Sequence, residues 1–212
     1  PVSFVRQLAL YMQSLGKNPY IPKHFASETV EVPHILSRAE LASFFSVVDA
    51  FSPPQFAFRR LVRTYQVPFR LFYCCGLRLA EGCYLRRSCV DLKNGTIEIL
   101  QSKGNKDRLV SLSDDVRALC SEYDEAMQDI IPEREWFFPG RQSQRAIRKT
   151  SIDRSFTILW NKTPFAGKVD KKPTVQSLRH TFVVDKMNEW METGMDTGVM
   201  MPYLSRYLGH SS

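Results

Sequence analysis

Residues 90–112 read VDLKNGTIEILQSKGNKDRLVSL, and here the apolar pattern changes from helical spacing to strand chemistry. Ile97, Ile99, Leu109 and Leu112 supply the apolar positions. Lys93-Asn94-Gly95-Thr96 is a two-residue hairpin signal, because Asn-Gly accepts the positive φ of a type I′ turn. Lys103-Gly104-Asn105-Lys106 makes a second turn, so the segment reads as three short antiparallel strands. On both sides the spacing is helical. Ser37-Arg38-Ala39-Glu40 is a capping box, and Leu41, Phe44, Phe45 and Val48 form the apolar stripe of the helix behind it. Pro53 and Pro54 open a second helical stretch, and Pro68 opens a third that stops at Gly76. Further helices are expected near 114–129, 150–161, 175–192 and 202–208. The expected fold class is mainly α with a small three-stranded antiparallel sheet, an α+β arrangement.

At the start of the chain Phe4, Val5, Leu8, Tyr11, Met12 and Leu15 recur at helical spacing until Gly16. One helix cannot bury its own stripe, so residues 1–18 read as the last helix of an N-terminal domain. Residues 19–35, with Pro19, Pro22 and Pro33, read as a linker, and 36–212 as the main domain. Pro1 in place of an initiator Met reads as a fragment. With 212 residues, 43% of them apolar and 24% charged, disorder throughout is excluded. The longest apolar stretches, such as Val67–Cys75, are interrupted by Pro68 and Arg70 and are too short for a bilayer. Arg6 and Gln7 break any apolar region near the start, so no signal peptide is read and a cytoplasmic protein is expected. The five cysteines make no CxxC pair, which points to reduced thiols and to neither a disulfide framework nor a metal site.

Charge separates along the chain. Against an overall +7, residues 59–87 carry +6 and residues 136–182 carry +8, while residues 113–135 carry −6. A division of this kind suits one face turned to a polyanion and another turned to water. The basic run Arg141, Arg145, Arg148, Lys149 and Arg154 has the spacing of a helix face that follows a DNA backbone.

Four separated pieces stand out: Gly76-Leu77-Arg78-Leu79-Ala80-Glu81, Ser102–Arg108, Gln176–Thr181 and Tyr207–Ser212. Each alone has a plain structural explanation. In this order and spacing the G-L-R-x-x-E turn, the S-K-G-N-K-D-R hairpin, the L-R-H-T-F helix start and the Y-L-G-H-S-S ending resemble the catalytic domain of the tyrosine recombinase, or phage integrase, family. The resemblance covers roughly residues 34–212, with Phe4–Leu15 resembling the end of the core-binding domain that precedes it. It implies an enzyme in which a tyrosine hydroxyl attacks a DNA phosphodiester, giving a 3′-phosphotyrosyl link without a metal or other cofactor.

The resemblance also implies roles. Arg78 and Arg179 are the clamps on the phosphoryl oxygens, since arginine offers a planar fork that keeps its proton. Glu81 would orient Arg78. Lys103 matches the general acid for the leaving 5′-oxygen, and Lys106 is its competitor. Lys106 and Arg108 are otherwise expected at DNA, and His210 matches the last active-site residue. Gln176 stands where the family usually has His, and its amide donates a hydrogen bond but does not titrate. Tyr203 and Tyr207 match ordinary helix positions, so the nucleophile is expected beyond Ser212 and this chain is expected not to cleave DNA by itself. The implied partner is duplex DNA, with a monomer when free, a tetramer on paired sites and no membrane. Recombination, integration or transposition leads; a type IB topoisomerase and a catalytically inactive DNA-binding module remain the alternatives.

Overall fold

The computed structural model describes residues 9–21, 32–51, 59–100, 107–142 and 144–209, with the backbone alone for 59–64. Two compact units divide at Val32 and Pro33. In the first, residues 9–14 are helical (α1) and Gly16 follows with φ +74°; Phe4, Val5 and Leu8 lie outside the described residues.

The second unit runs α2 (Arg38–Ala50), α3 (Arg59–Cys74), α4 (Leu79–Cys83), β1 (Val90–Asp91), β2 (Thr96–Ile99), β3 (Arg108–Ser111), α5 (Asp114–Ile130), α6 (Lys149–Trp160), α7 (Val175–Glu192) and α8 (Thr197–Tyr207). The capping box that opens α2 is present: Glu40 N donates to Ser37 Oγ at 3.3 Å, and Ser37 N donates to Glu40 Oε2 at 2.7 Å. Helix α3 packs against α5 and α7, and α2 against α6. Phe44, Phe69 and Phe156 meet at ring distances of 4.7–5.9 Å where α2, α3 and α6 converge. Tyr123, Phe137 and Phe138 form a second knot, 5.0–5.3 Å apart. Val90, Ile97, Ile99 and Val110 put one face of the sheet into the same core.

The sheet is antiparallel in the order β1-β2-β3, as the sequence predicts. Its first turn is longer than expected. Asp91 pairs with Thr96, leaving four residues in the loop instead of two. The Asp91 carboxylate accepts from Asn94 N at 3.0 Å and from Asn94 Nδ2 at 2.6 Å, so a side-chain cap sets the turn and Gly95 supplies φ +66°. In β3 the inward apolar residue is Val110, while Leu109 is 63% exposed.

Two prolines behave differently from expectation. Pro68 lies inside α3 and does not open a new helix. It removes one backbone donor, but Val67, Phe69, Leu71 and Phe72 around it are buried at 1% exposure or less, and that packing holds the helix together. Pro202 lies inside α8, which starts five residues earlier because Asp196 accepts from Gly198 N at 2.8 Å and caps it. The expected basic helix face is also broken. Arg141 and Arg145 lie in a loop closed by Gly140 N to Arg145 O at 2.7 Å, Arg148 caps α6, and only Lys149 and Arg154 are on the helix.

Candidate active site

The site begins where α3 stops. Gly76 has φ +60°, and a Cβ there would lie 2.7 Å from the Phe182 ring, so the turn that frees the next residues requires glycine. Arg78 then caps α4 and Glu81 is the third residue of that short helix. The spacing of three has a plain cause. Glu81 reaches back, accepting from Arg78 N at 2.8 Å and from the Arg78 guanidinium at 2.8 Å. This is a buried pair and not a surface one, because the Glu81 side chain is only 6% exposed.

Arg179 enters from α7, between Leu178 and Thr181, whose positions fix that face of the helix in the core. Its guanidinium donates to Gly76 O at 2.5 Å and Leu208 O at 2.8 Å, and lies 3.8 Å from Glu81. Burial first, and then the neighbouring Arg78, lower its pKa to about 10, so it stays protonated at neutral pH. Arg78 donates to Gly209 O at 2.8 Å. Both arginines therefore grip the end of α8, the turn immediately before His210. Gly209 has φ +69° there.

A third arginine completes the centre. Arg108, expected at the DNA backbone, is instead turned inward: its side chain is 9% exposed and its fork meets Glu81 at 2.8 and 2.7 Å. Burial raises the Glu81 carboxyl, but hydrogen bonds from Arg108 and Arg78 outweigh it and hold it at about 2. One signal in the sequence could have found Arg108. It is two residues from Val110 on the same strand, and alternate residues share a face.

Arg78, Arg179, Gln176 and Lys149 line one recess of about 240 Å³. Gln176 is exposed in the first turn of α7, and Lys149 opens α6. Two helix N-termini thus add their positive ends to three cations. A larger recess of about 560 Å³ shares Arg78 and runs past Tyr84, Arg86 and Trp136 to Ile99 and Leu100. Arg86 lies over the Trp136 ring at 5.2 Å and Lys149 over Tyr84 at 5.9 Å. Chemically, the arrangement is an anion site with fixed donors.

Lys103, Lys106 and His210 lie outside the described residues. On either side of residues 101–106, Ile99 of β2 lines the larger recess and Arg108 of β3 meets Glu81. Arg141, Arg145, Arg148, Lys149 and Arg154 are all exposed. His180 is half-buried, and burial together with Arg179 lowers its pKa. Tyr207 donates to Cys75 O at 3.2 Å and burial pushes its phenol up, while Tyr203 is 67% exposed on the far part of α8. No described helix is long and apolar enough to cross a membrane.

The protein named "Putative integrase/recombinase y4rE" of Sinorhizobium fredii (strain NBRC 101917 / NGR234) is 34% identical over 191 residues, covering 88% of this chain and 59% of the relative. The tyrosine recombinase XerA of Thermococcus kodakarensis is 29% identical over 201 residues, covering 92% and 58%. The solved Tn1549 transposon integrase, in complex with transposon right end DNA, shares the fold with a TM-score of 0.69 at 17% identity, covering 97% of this chain and 68% of that one. The chain spans less than two thirds of the length of the curated relatives named here. The model of the phage integrase family matches residues 46–212. Because that match runs from inside α2 to the last residue and so takes in the whole arginine–carboxylate centre, the chain belongs to the phage integrase family.

Proposed function

We propose that this chain is the catalytic part of a site-specific DNA recombinase or integrase that cuts and rejoins duplex DNA through a 3′-phosphotyrosyl link. The observation that carries the reading is the convergence of Arg78, Arg179, Gln176 and Lys149 on one recess, with Glu81 buried behind the arginines. In this reading a phosphodiester enters the recess and its non-bridging oxygens meet Arg78 and Arg179, whose charge stabilises the extra negative charge of the transition state. Gln176 donates a hydrogen bond to the same oxygens, and His210 completes the set. A tyrosine hydroxyl other than Tyr203 or Tyr207 attacks phosphorus and gives up its proton to water, since the Gln176 amide does not take one. The 5′-oxygen leaves as Lys103 protonates it. Attack by a free 5′-hydroxyl reverses the step and rejoins a strand.

Residues 36–212 form the catalytic domain in this reading, residues 19–35 the linker, and residues 1–18 the end of a core-binding domain. The protein works in the cytoplasm, as a monomer when free and a tetramer on paired DNA sites.

The test uses the full-length protein and a nicked suicide duplex that traps the covalent complex. Arg78→Ala and Arg179→Ala are each expected to slow trapping by about 100-fold or more, the usual loss when one charge-stabilising donor is removed, while duplex binding at low salt persists. Trapping at near-normal rate by either variant would overturn the assignment.

A further inference from the structure

Arg108 starts β3 with both terminal nitrogens on the two oxygens of Glu81, at 2.8 and 2.7 Å. Its Nε is buried and has no hydrogen-bond partner. Glu81 is faced from three elements: by Arg78 at the cap of α4, by Arg108 from β3 and by Arg179 from α7. Arg78 lines both recesses and Arg179 the smaller one, whereas Arg108 lines neither and keeps both terminal nitrogens on one carboxylate. Burial alone does not separate it from Arg179, whose side chain is 6% exposed against 9% for Arg108, but Arg179 opens on the recess. Arg108 also begins the strand that follows residues 101–106.

We infer that Arg108 is a positioning residue: it locks Glu81 in the orientation that presents Arg78 to the phosphate, joins that carboxylate to β3, and does not touch DNA. The inference rests on the proposed reading of the recess as the phosphate site. It differs from a merely structural ion pair in predicting that the cleavage rate follows the Glu81 titration. In the native protein the Arg108 hydrogen bond is the largest influence that opposes burial at this carboxyl. Without Arg108 the burial remains, Glu81 becomes neutral at higher pH, and Arg78 loses its guide.

Two measurements on the purified chain decide the matter: the titration of the Glu81 carboxyl by carbon-13 NMR, and the salt dependence of duplex binding. Arg108→Gln is expected to raise the Glu81 titration midpoint by roughly two pH units, with Arg108→Lys falling between it and the wild type. The slope of log affinity against log salt is expected to be unchanged in both. In the full-length protein Arg108→Gln should slow single-turnover cleavage about tenfold or more, with a rate that rises along the displaced Glu81 titration; Arg108→Lys should recover most of it.

A slope reduced by about one, the signature of a lost phosphate contact, would overturn the inference, as would an unmoved Glu81 titration. If Arg108→Gln does not fold, the same two readouts are taken on Arg108→Lys, where an unmoved titration or a reduced slope again overturns the inference. Failure of the wild type to bind duplex would instead sink the recombinase reading, and the Glu81 titration would still report whether Arg108 sets that carboxylate.

Discussion

A carboxylate that is 6% exposed and still ionised is held so by its neighbours, and at Glu81 those neighbours are arginines. Its folded pKa, at about 2, lies below the ordinary 4.5. The stability this group contributes is therefore complete above pH 4.5 and is lost as the pH falls toward 2. The shift corresponds to roughly 3 kcal/mol. Urea unfolding of the wild type and of Glu81→Gln from about pH 5 to about pH 2 checks it. The gap between them should be widest at the upper end, about 3–5 kcal/mol for a broken buried pair, and should shrink by about the size of the shift at the lower end. A gap independent of pH would mean that the charge of Glu81 contributes nothing. Gln176 presents the opposite case, an exposed side chain with no titration of its own. In the full-length protein Gln176→Ala should raise the cleavage barrier by about 1.5–3 kcal/mol, the worth of a hydrogen bond to a charged group, and leave the melting temperature unchanged. A lower melting temperature with an unaltered rate per folded molecule would make Gln176 a helix-start residue only. Arg78, Glu81 and Arg179 were legible in the sequence because short motifs carry them. Arg108 was missed, since a charged residue in a basic hairpin reads as a solvated one when Leu109, and not Val110, is taken as the inward residue.

At the scale of elements, the sequence was most readable where local chemistry alone sets the structure. The Ser37–Glu40 box opens α2 as expected, and α7 has the expected limits of 175 and 192. It was least readable where packing overrides a local rule, as at Pro68 and Pro202, or where a side chain replaces a backbone preference, as at Asp91 in the first sheet turn. Residues 101–106 are flanked by Ile99, which packs in the core, and by Arg108, which meets Glu81. The proposed function assigns the acid to Lys103 over Lys106. In the full-length protein Lys103→Ala should be rescued by a substrate whose 5′ leaving group is sulfur, because a thiolate leaves without a proton. Lys106→Ala should show a smaller defect and no selective rescue. Rescue confined to Lys106→Ala would exchange the two roles.

Over the whole molecule the charge pattern of the sequence becomes a geometry. Helix α5 carries most of the acidic segment, while Arg141, Arg145, Arg148, Lys149 and Arg154 are exposed around the loop before α6 and on α6 itself. Lys149 lines the recess with Arg78 and Arg179, so the basic segment reaches the candidate phosphate site at that residue. The sequence identified these cations but not their support: three of the five precede the helix, which a helical spacing of charges could not disclose. If they track a backbone, each releases about 0.9 counterion per phosphate met, and log affinity for duplex falls linearly with log salt. Roughly four or five contacts give a slope of about −4. Arg141→Ala with Arg145→Ala should flatten that slope by about 2 and weaken binding equally for unrelated duplexes, since phosphate contacts carry no sequence information. Fluorescence titrations of two unrelated duplexes at several salt concentrations measure both quantities. A general attraction to the net charge of +7 would behave differently, because removing any two exposed cations, including Lys171 and Lys172, would then flatten the slope by the same amount. Equal effects from the two double variants would remove the 141–154 surface from the interface, and a loss confined to the Arg141 and Arg145 pair would place it there.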